Sequence, residues 1–165
     1  MNAIAAVNNK GYIGKGGDLM YAIKEDLAFF ARTTKGKTLV MGRRTLLSLP
    51  GGKGLKGRTN IVLSRSMTEE EAAEREVIVV RDVDALFDLL SEIGTPTEEV
   101  FVIGGGEIYS LLLPYCDTLY ITRVLADDEG EVRFPDITDD FVLTQGEVNR
   151  SGALSYRFDT YVRKN

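Results

Sequence analysis

Residues 100–109 read VFVIGGGEIY, and this stretch decides which fold the sequence predicts. The run VFVIG (100–104) has the length and continuous apolar character of a strand that is buried on both faces. Three consecutive glycines begin at its last residue, and GEIYSLLL (106–113) then has the character of a helix. A strand that leads through a glycine turn into a helix indicates a sheet built from parallel α/β units.

Similar runs recur on both sides of this stretch and alternate with helix-like segments. The other apolar runs are AIAAV (3–7), TLVMG (38–42), NIVLS (60–64), VIVV (77–80) and TLYIT (118–122), and the other helix-like segments are 22–34, about 43–48, and 83–93. The tail differs, because 140–148 and 155–163 alternate apolar and polar residues as an antiparallel hairpin does. We therefore expect a single α/β domain, residues 1–165, with a mostly parallel sheet, flanking helices and an antiparallel C-terminal hairpin.

Composition and charge exclude several kinds of partner. With 44% hydrophobic and 27% charged residues, the 165-residue chain has an ordinary globular composition. Its net charge of −5 argues against nucleic acid, because nucleic-acid-binding surfaces are normally basic. No apolar run approaches the length of a membrane span, and the N-terminus lacks the pattern of a signal peptide, so we expect no membrane partner.

The use of cysteine and histidine limits the possible chemistry. Cys116 is the only cysteine, and the chain contains no histidine. An intrachain disulfide is therefore impossible, and we expect a reducing, cytoplasmic location in which Cys116 is a small buried side chain. A zinc site or a histidine-dependent catalytic triad is excluded. Acid–base chemistry then falls to carboxylates, tyrosines, lysines or water, and no metal site is expected.

Asp26 lies within YAIKEDLAFF (21–30), which we predict to be helical. Viewed down the helix axis, Asp26 is at the border of the apolar stripe, with Phe29 on one side of it and Phe30 on the other. A carboxylate in a first turn can simply offset the helix dipole. It can also bind a ligand that presents adjacent N–H donors. Burial raises the pKa of such a carboxyl and the helix N-terminus lowers it, and we expect burial to dominate.

Polar and glycine-rich residues follow several of the predicted strands, at the edge where ligands bind to parallel sheets. In VMGRRT (40–45), backbone N–H groups and two arginines converge at a helix start, as in an anion site. LSR (63–65) and Arg81 add hydroxyl and guanidinium groups, and the glycines at 104–106 allow a ligand to approach bare backbone. Each feature alone is also typical of a solvated surface or a tight turn. Together, in an acidic protein, they indicate a polyanionic cofactor.

Residues 8–19, NNKGYIGKGGDL, contain four glycines between the first strand and the Asp26 helix. Such a segment can close over a site as a lid. It can also be an ordinary surface loop, and composition alone favours this second interpretation.

Seven motifs occur in register over nearly the whole chain: AAV…IG…DL, DLAFF, T…VMGRRT, LKGRTNIVLSR, VIGGGEIY, LYIT and FPD. This set closely resembles the dihydrofolate reductase family. The resemblance implies a central, mostly parallel eight-stranded sheet. It also implies an NADPH-dependent enzyme that reduces 7,8-dihydrofolate to tetrahydrofolate by hydride transfer to C6 and protonation of N5. A monomer with a small-molecule substrate is expected.

For the substrate site, the resemblance implies that Asp26 binds the amino group and ring N–H of the pterin and promotes protonation of N5. Thr122 would be linked to Asp26 through a water. Tyr21 stands where most family members have tryptophan, and it would order a water beside the substrate. Arg58 would bind the α-carboxylate of the substrate's glutamate. The residues implied to line the substrate are Ala6, Leu27, Phe30, Leu49, Leu55, Arg58 and Ile103.

For the cofactor site, the resemblance implies a phosphate-binding helix start at 42–45 and readers of the 2′-phosphate at Ser64, Arg65 and Arg81. It also implies a cis peptide bond between Gly104 and Gly105. The full implied set is Ile13, Gly14, Gly42, Arg43, Arg44, Thr45, Leu63, Ser64, Arg65, Arg81, Gly104, Gly105, Gly106 and Tyr109. Glu131 is implied to stabilise the closed lid.

Two alternatives remain open at this point. The pyrimidine reductase of riboflavin synthesis shares the fold and the NADPH residues, but it does not require DLAFF (26–30) or Arg58. In a non-catalytic nucleotide-binding module, Asp26 would have only a structural role. Turnover of dihydrofolate with NADPH distinguishes the first function from both alternatives, and tight binding of NADPH without turnover would favour the module.

Overall fold

Every strand and helix expected from the sequence is present in the computed structural model, which describes residues 1–165. The strands are β1 (Asn2–Asn8), β2 (Tyr12–Lys15), β3 (Asp18–Leu19), β4 (Thr38–Met41), β5 (Thr59–Leu63), β6 (Ile78–Val80), β7 (Val100–Gly104), β8 (Thr118–Val124), β9 (Val132–Arg133), β10 (Phe141–Thr144), β11 (Val148–Ser151) and β12 (Leu154–Arg163). The helices are α1 (Lys24–Thr34), α2 (Arg43–Ser48), α3 (Glu69–Glu74), α4 (Val83–Ile93) and α5 (Gly106–Leu112). None of them combines the length and apolar character that a membrane-spanning helix requires.

The main sheet has the strand order β10-β12-β8-β1-β7-β4-β5-β6. The strands from β8 to β6 run parallel, whereas β12 and β10 run antiparallel to their neighbours. The predicted fold class is therefore confirmed, with β11 as an additional strand that also pairs with β12. Because the carboxyl ends of the parallel strands meet at one edge, residues far apart in the sequence come together there.

Both faces of the sheet are covered, as a parallel sheet requires. Side chains along a strand alternate between the faces. On β4, Val40 accordingly belongs to one apolar cluster, while Leu39 and Met41 belong to the other. Helices α4 and α5 pack on the first face, and α1, α2 and α3 pack on the second. The second face, where α1 crosses the carboxyl edge, carries the candidate site.

The tail forms the expected antiparallel pairing, but its first half is broken into two strands. Both β10 and β11 pair with β12, and the chain between them passes Gly146. A side chain at Gly146 would collide with the Phe158 carbonyl. The Gly146 N–H donates to Asp159 Oδ1 at 3.1 Å, and this buried carboxylate also accepts two bonds from Arg157 at 3.1 and 3.2 Å. These contacts hold the chain between β10 and β11 in place, so the interruption between the two strands is part of the folded structure.

The expectation that residues 8–19 form a loop is wrong, because two short strands lie within this segment. Strands β2 and β3 form a hairpin, and β9 extends it to a three-stranded sheet. Gly16 and Gly17 connect the two strands with φ of 63° and 80°, the positive values that a two-residue hairpin turn requires. The Gly-Gly pair was the sequence signal for this turn. Helix α3 is not among the predicted segments, although Thr68 caps it by accepting a bond from the Glu71 N–H.

Candidate active site

Asp26 lies in the first turn of α1, directly beside the carboxyl half of β8. The Thr122 hydroxyl on β8 donates to Asp26 Oδ1 at 2.5 Å, and Thr122 is buried. The bond is direct, so the expectation that a water joins these two side chains is wrong. Ala6 on β1 is the partner of Thr122 across the parallel pairing, and it lies half-buried beside the same pair.

Burial determines the protonation of Asp26. Removal of the carboxylate from water raises its pKa above the ordinary value, and the hydrogen bond from Thr122 lowers it by a smaller amount. The net direction is upward, which confirms the expectation that burial dominates. A carboxyl group with a raised pKa retains its proton closer to neutral pH, and it can then take part in acid catalysis there.

An apolar wall lies beside this carboxyl. Phe30, Leu49, Leu55 and Ile103 come from four separate segments, yet all pack against the same buried cluster on the second face. Leu27, one residue after Asp26, is 53% exposed. An exposed leucine next to a half-buried acid and a group of apolar side chains fits one wall of a small-molecule cleft.

Arg58 is held in a fixed position at the far end of α1. Its Nε donates to Thr34 Oγ1 at 3.1 Å, its Nη1 to the Lys56 carbonyl at 2.8 Å, and its Nη2 to the Ala31 carbonyl at 3.2 Å. Each Nη atom therefore retains one further N–H. Thr34 donates in turn to the Phe30 carbonyl at 2.8 Å, which ties the arginine to the helix. The arrangement presents a guanidinium that can bind an anion at low entropic cost.

The Tyr21 hydroxyl is expected to order a water beside the substrate, but it bonds to protein groups instead. The hydroxyl donates to Asp128 Oδ2 at 2.7 Å and accepts from Asn8 Nδ2 at 3.2 Å. It is thus committed to protein partners, and the expectation that it orders a water beside the substrate gains no support. Burial is the main cause of its raised pKa. Asn8, which was not singled out in the sequence, is fully buried and also donates to the Asp128 carbonyl at 2.8 Å.

The acidic loop 127–131, DDEGE, fastens the β2–β3 hairpin. Its four acidic side chains each accept a bond from the segment 9–21. The pairs are Asn9 with Asp127 at 3.2 Å, Tyr21 with Asp128 at 2.7 Å, Lys10 with Glu129 at 2.8 Å, and the Gly16 N–H with Glu131 at 2.7 Å. Glu131 thus contacts the hairpin turn, and its role in stabilising a closed lid stays a prediction.

The glycine run at the end of β7 meets the start of α2. The Gly42 N–H donates to the Gly104 carbonyl at 2.8 Å, and the Gly104–Gly105 peptide is cis, as the resemblance implied. Gly104 has φ of 118°, and a Cβ there would lie 3.2 Å from the Tyr109 ring. The Tyr109 hydroxyl donates to the Ile4 carbonyl at 2.7 Å, and burial raises its pKa. The bare backbone and the helix start thus form one continuous cradle beside Thr45.

The remaining predicted cofactor residues lie in two places. One group lies at or just after the carboxyl ends of the adjacent strands β4, β5 and β6, and it comprises Arg43, Arg44, Leu63 (the last residue of β5), Ser64, Arg65 and Arg81. Ile13 and Gly14 lie in β2 of the hairpin. Arg81 Nη1 donates to the carbonyls of Ser64 and Met67, so it braces the turn after β5. The Ser64 hydroxyl accepts from the backbone N–H groups of Ser66 and Met67 at 3.3 and 3.1 Å. The structure therefore brings a group of cations to the carboxyl edge, as predicted.

Comparison with known proteins agrees with this geometry. The family model described as dihydrofolate reductase matches residues 1–163. A dihydrofolate reductase of Bacillus subtilis (strain 168) is 34% identical over 166 residues, covering 98% of this chain and 94% of that protein. The dihydrofolate reductase of Mycobacterium tuberculosis (strain ATCC 25618 / H37Rv) is 39% identical over 166 residues, covering 97% and 96%. One of Staphylococcus haemolyticus is 30% identical over 167 residues, covering 99% and 95%. The chain therefore belongs to the dihydrofolate reductase family.

Proposed function

We propose that this chain reduces 7,8-dihydrofolate to 5,6,7,8-tetrahydrofolate with NADPH. The observation that carries the proposal is the half-buried Asp26 carboxyl, bonded to Thr122 at 2.5 Å beside an open apolar wall. Family membership supports the same reaction. It also favours this reaction over the pyrimidine reductase of riboflavin synthesis and over a non-catalytic module.

Asp26 is proposed to bind the substrate and to promote its protonation. A carboxylate accepts two adjacent N–H donors, such as the amino group and ring N–H of a pterin. Thr122 positions the carboxyl by donating to Oδ1, which leaves Oδ2 and the second lone pair of Oδ1 for the ligand. Because its pKa is raised, Asp26 can promote delivery of a proton to N5 near neutral pH. The chain has no histidine that could do this instead.

Arg58 is proposed to bind the α-carboxylate of the glutamate on the substrate. Its three bonds to Thr34, Lys56 and Ala31 fix the guanidinium plane and leave one N–H on each Nη atom for a carboxylate. The walls between this arginine and Asp26 would contact the pterin and the ring that follows it. The residues proposed for these contacts are Ala6, Leu27, Phe30, Leu49, Leu55 and Ile103.

The residues at the carboxyl edge fit NADPH. The cradle of Gly42, Thr45 and 104–106 offers bare backbone for a pyrophosphate, and Tyr109 closes its inner side. The arginines after β4, β5 and β6 offer cations for a 2′-phosphate. When bound, NADPH would supply the hydride, and the chain's own residues would orient the substrate and hold the proton. Ile13, Gly14 and the hairpin that contains them would exclude water.

The molecule is proposed to act as a monomeric single domain, residues 1–165, in a reducing cytoplasmic setting. The nearly continuous main sheet supports one domain, and the buried, unpaired Cys116 is compatible with reducing conditions. Size-exclusion chromatography with light scattering tests the monomeric state directly.

The experiment that tests the activity follows the consumption of NADPH by the purified protein. We expect consumption with dihydrofolate and formation of tetrahydrofolate, and none with the pyrimidine substrate of the riboflavin-pathway reductase. Tight binding of NADPH without turnover of dihydrofolate would show that the proposal is wrong and would favour the non-catalytic module.

A further inference from the structure

Glu71 on α3 makes an ion pair with one of the proposed phosphate-binding arginines. Its Oε2 accepts from Arg43 Nη2 at 2.9 Å and from Arg75 Nε at 2.9 Å. Glu71 is 23% exposed, and these two arginines lower the pKa of its carboxyl, so it is ionised at neutral pH. Arg43 therefore already has a negatively charged partner at the position where a phosphate would compete for it.

The same helix places a second carboxylate near a second cation of this group. Arg81 Nη2 lies 3.8 Å from Glu69 Oε1. Arg44 and Arg65, by contrast, are exposed and form no ion pair with the protein. Helix α3, EEEAAE, thus brings negative charge to the edge where the resemblance implies that a 2′-phosphate binds.

We propose that Glu71 is a specificity-determining residue that weakens binding of the 2′-phosphate and so narrows the preference for NADPH over NADH. The inference rests on the proposed function. Glu71 acts in two ways: it holds the Arg43 guanidinium, and its charge repels the incoming phosphate. Both effects are weaker for a cofactor without the 2′-phosphate, because its remaining phosphates are proposed to bind at the cradle of Gly42, Thr45 and 104–106 rather than beside Glu71.

The size of the effect follows from Coulomb's law. Two like unit charges about 4 Å apart in a water-like medium repel each other enough to change a dissociation constant roughly fivefold. A phosphate carries more than one charge, whereas exposure and salt screen the interaction. We therefore expect Glu71→Gln to tighten binding of 2′-phosphorylated ligands by about three- to tenfold at low salt.

The test is calorimetric titration of the purified wild type and of Glu71→Gln with NADPH, NADH, adenosine 2′,5′-bisphosphate and AMP. Glu74→Gln is the matched control, because it removes the same charge from the same helix and Glu74 makes no ion pair. We expect tighter binding of the two 2′-phosphorylated ligands by Glu71→Gln only. NADH and AMP are expected to change by less than about twofold. The gain is expected to shrink as salt is raised.

A double variant tests whether Glu71 weakens binding of the 2′-phosphate by holding Arg43. If Glu71 acts through Arg43, then Glu71→Gln in an Arg43→Met background gives a smaller gain than in the wild type. Unchanged or weaker binding of adenosine 2′,5′-bisphosphate by a folded Glu71→Gln would overturn the inference and leave the proposed function intact. An equal gain for AMP would overturn it as well. Failure of the wild type to bind NADPH at all would contradict both the inference and the proposed function.

Discussion

At the scale of single residues, Asp26 is placed where its charged form is unfavourable. Burial beside apolar side chains raises the pKa of its carboxyl, and one hydroxyl, from Thr122, only partly offsets this. A side chain in such a position lowers the stability of the fold when it ionises. A carboxyl group in such a position can, however, bind a ligand and retain a proton near neutral pH.

We predict that Asp26→Asn stabilises the fold at neutral pH. In the unfolded chain the carboxyl titrates near 3.8, and in the folded chain it titrates higher. Between these two pKa values the folded state binds more protons, so the stability of the wild type falls as pH rises through that window and stays lower above it. Asn keeps an oxygen that can accept from Thr122 but does not ionise.

Thermal unfolding monitored by circular dichroism checks this prediction. We expect a higher midpoint for Asp26→Asn than for the wild type at about pH 7, and a difference that shrinks as the pH is lowered toward 3.8. Glu25→Gln, at an exposed neighbouring position, is the control and should leave the midpoint nearly unchanged. A midpoint for Asp26→Asn that is equal to or below that of the wild type at neutral pH would contradict the prediction.

At the scale of elements, the β2–β3 hairpin and the acidic loop 127–131 form one unit. The hairpin is too short to be stable alone, because a two-stranded hairpin is at best marginally stable in water. Its stability comes from pairing with β9 and from the four bonds to the acidic side chains of that loop. Exposed contacts contribute little individually. Tyr21 differs from the other partners because its hydroxyl also accepts a partly buried bond from the fully buried Asn8.

We predict that Tyr21→Phe loosens this hairpin. The change removes the donor to Asp128 and the acceptor for Asn8. Because the bond to Asp128 is exposed, we expect a net loss of about 0.5–1.5 kcal/mol. Hydrogen exchange followed by mass spectrometry should therefore show faster exchange over residues 9–21, by about two- to tenfold. Tyr115→Phe, remote from the hairpin and exposed, is the matched control. Unchanged exchange over 9–21 in Tyr21→Phe would contradict the role assigned to the phenol.

The elements of the main sheet could be predicted from the sequence because their signals are local. A continuous apolar run, as in 100–104, or a helical period, as in 83–93, depends only on neighbouring residues. The pairing of the β2–β3 hairpin with β9 could not be predicted in this way, because Val132 in β9 lies far from its partner Gly14 in the sequence. Its turn alone carried a readable signal, the Gly16–Gly17 pair.

The positions of the site residues on their helices and strands could be predicted from the sequence, but their contacts with distant residues could not. The phase of α1 placed Asp26 beside the apolar stripe, and the ends of the strands placed the arginines at one edge. The partners of these side chains could not be read from periodicity. Tyr21 and Asp128 are 107 residues apart, and Arg43 and Glu71 are 28 apart, so only the folded chain brings them into contact.

At the scale of the whole molecule, charge and acid–base chemistry are concentrated at one edge of the sheet. The protein carries a net charge of −5, yet arginines gather after β4, β5 and β6. It has no histidine, so the supply of protons near neutral pH depends on a carboxyl group with a raised pKa. The central claim is that Asp26 both binds the folate and promotes its protonation.

The pH dependence of dihydrofolate turnover with NADPH tests this claim most directly, in the wild type, Asp26→Asn and Thr122→Val, between about pH 5 and pH 9. We predict that wild-type turnover falls as the pH rises through the raised pKa of Asp26. Thr122→Val should shift this fall to higher pH, because it removes the bond that lowers that pKa. Asp26→Asn should lose about 10²- to 10⁴-fold at neutral pH and recover partly in acid. Turnover by Asp26→Asn near the wild-type rate at neutral pH, with an unchanged profile, would contradict the claim.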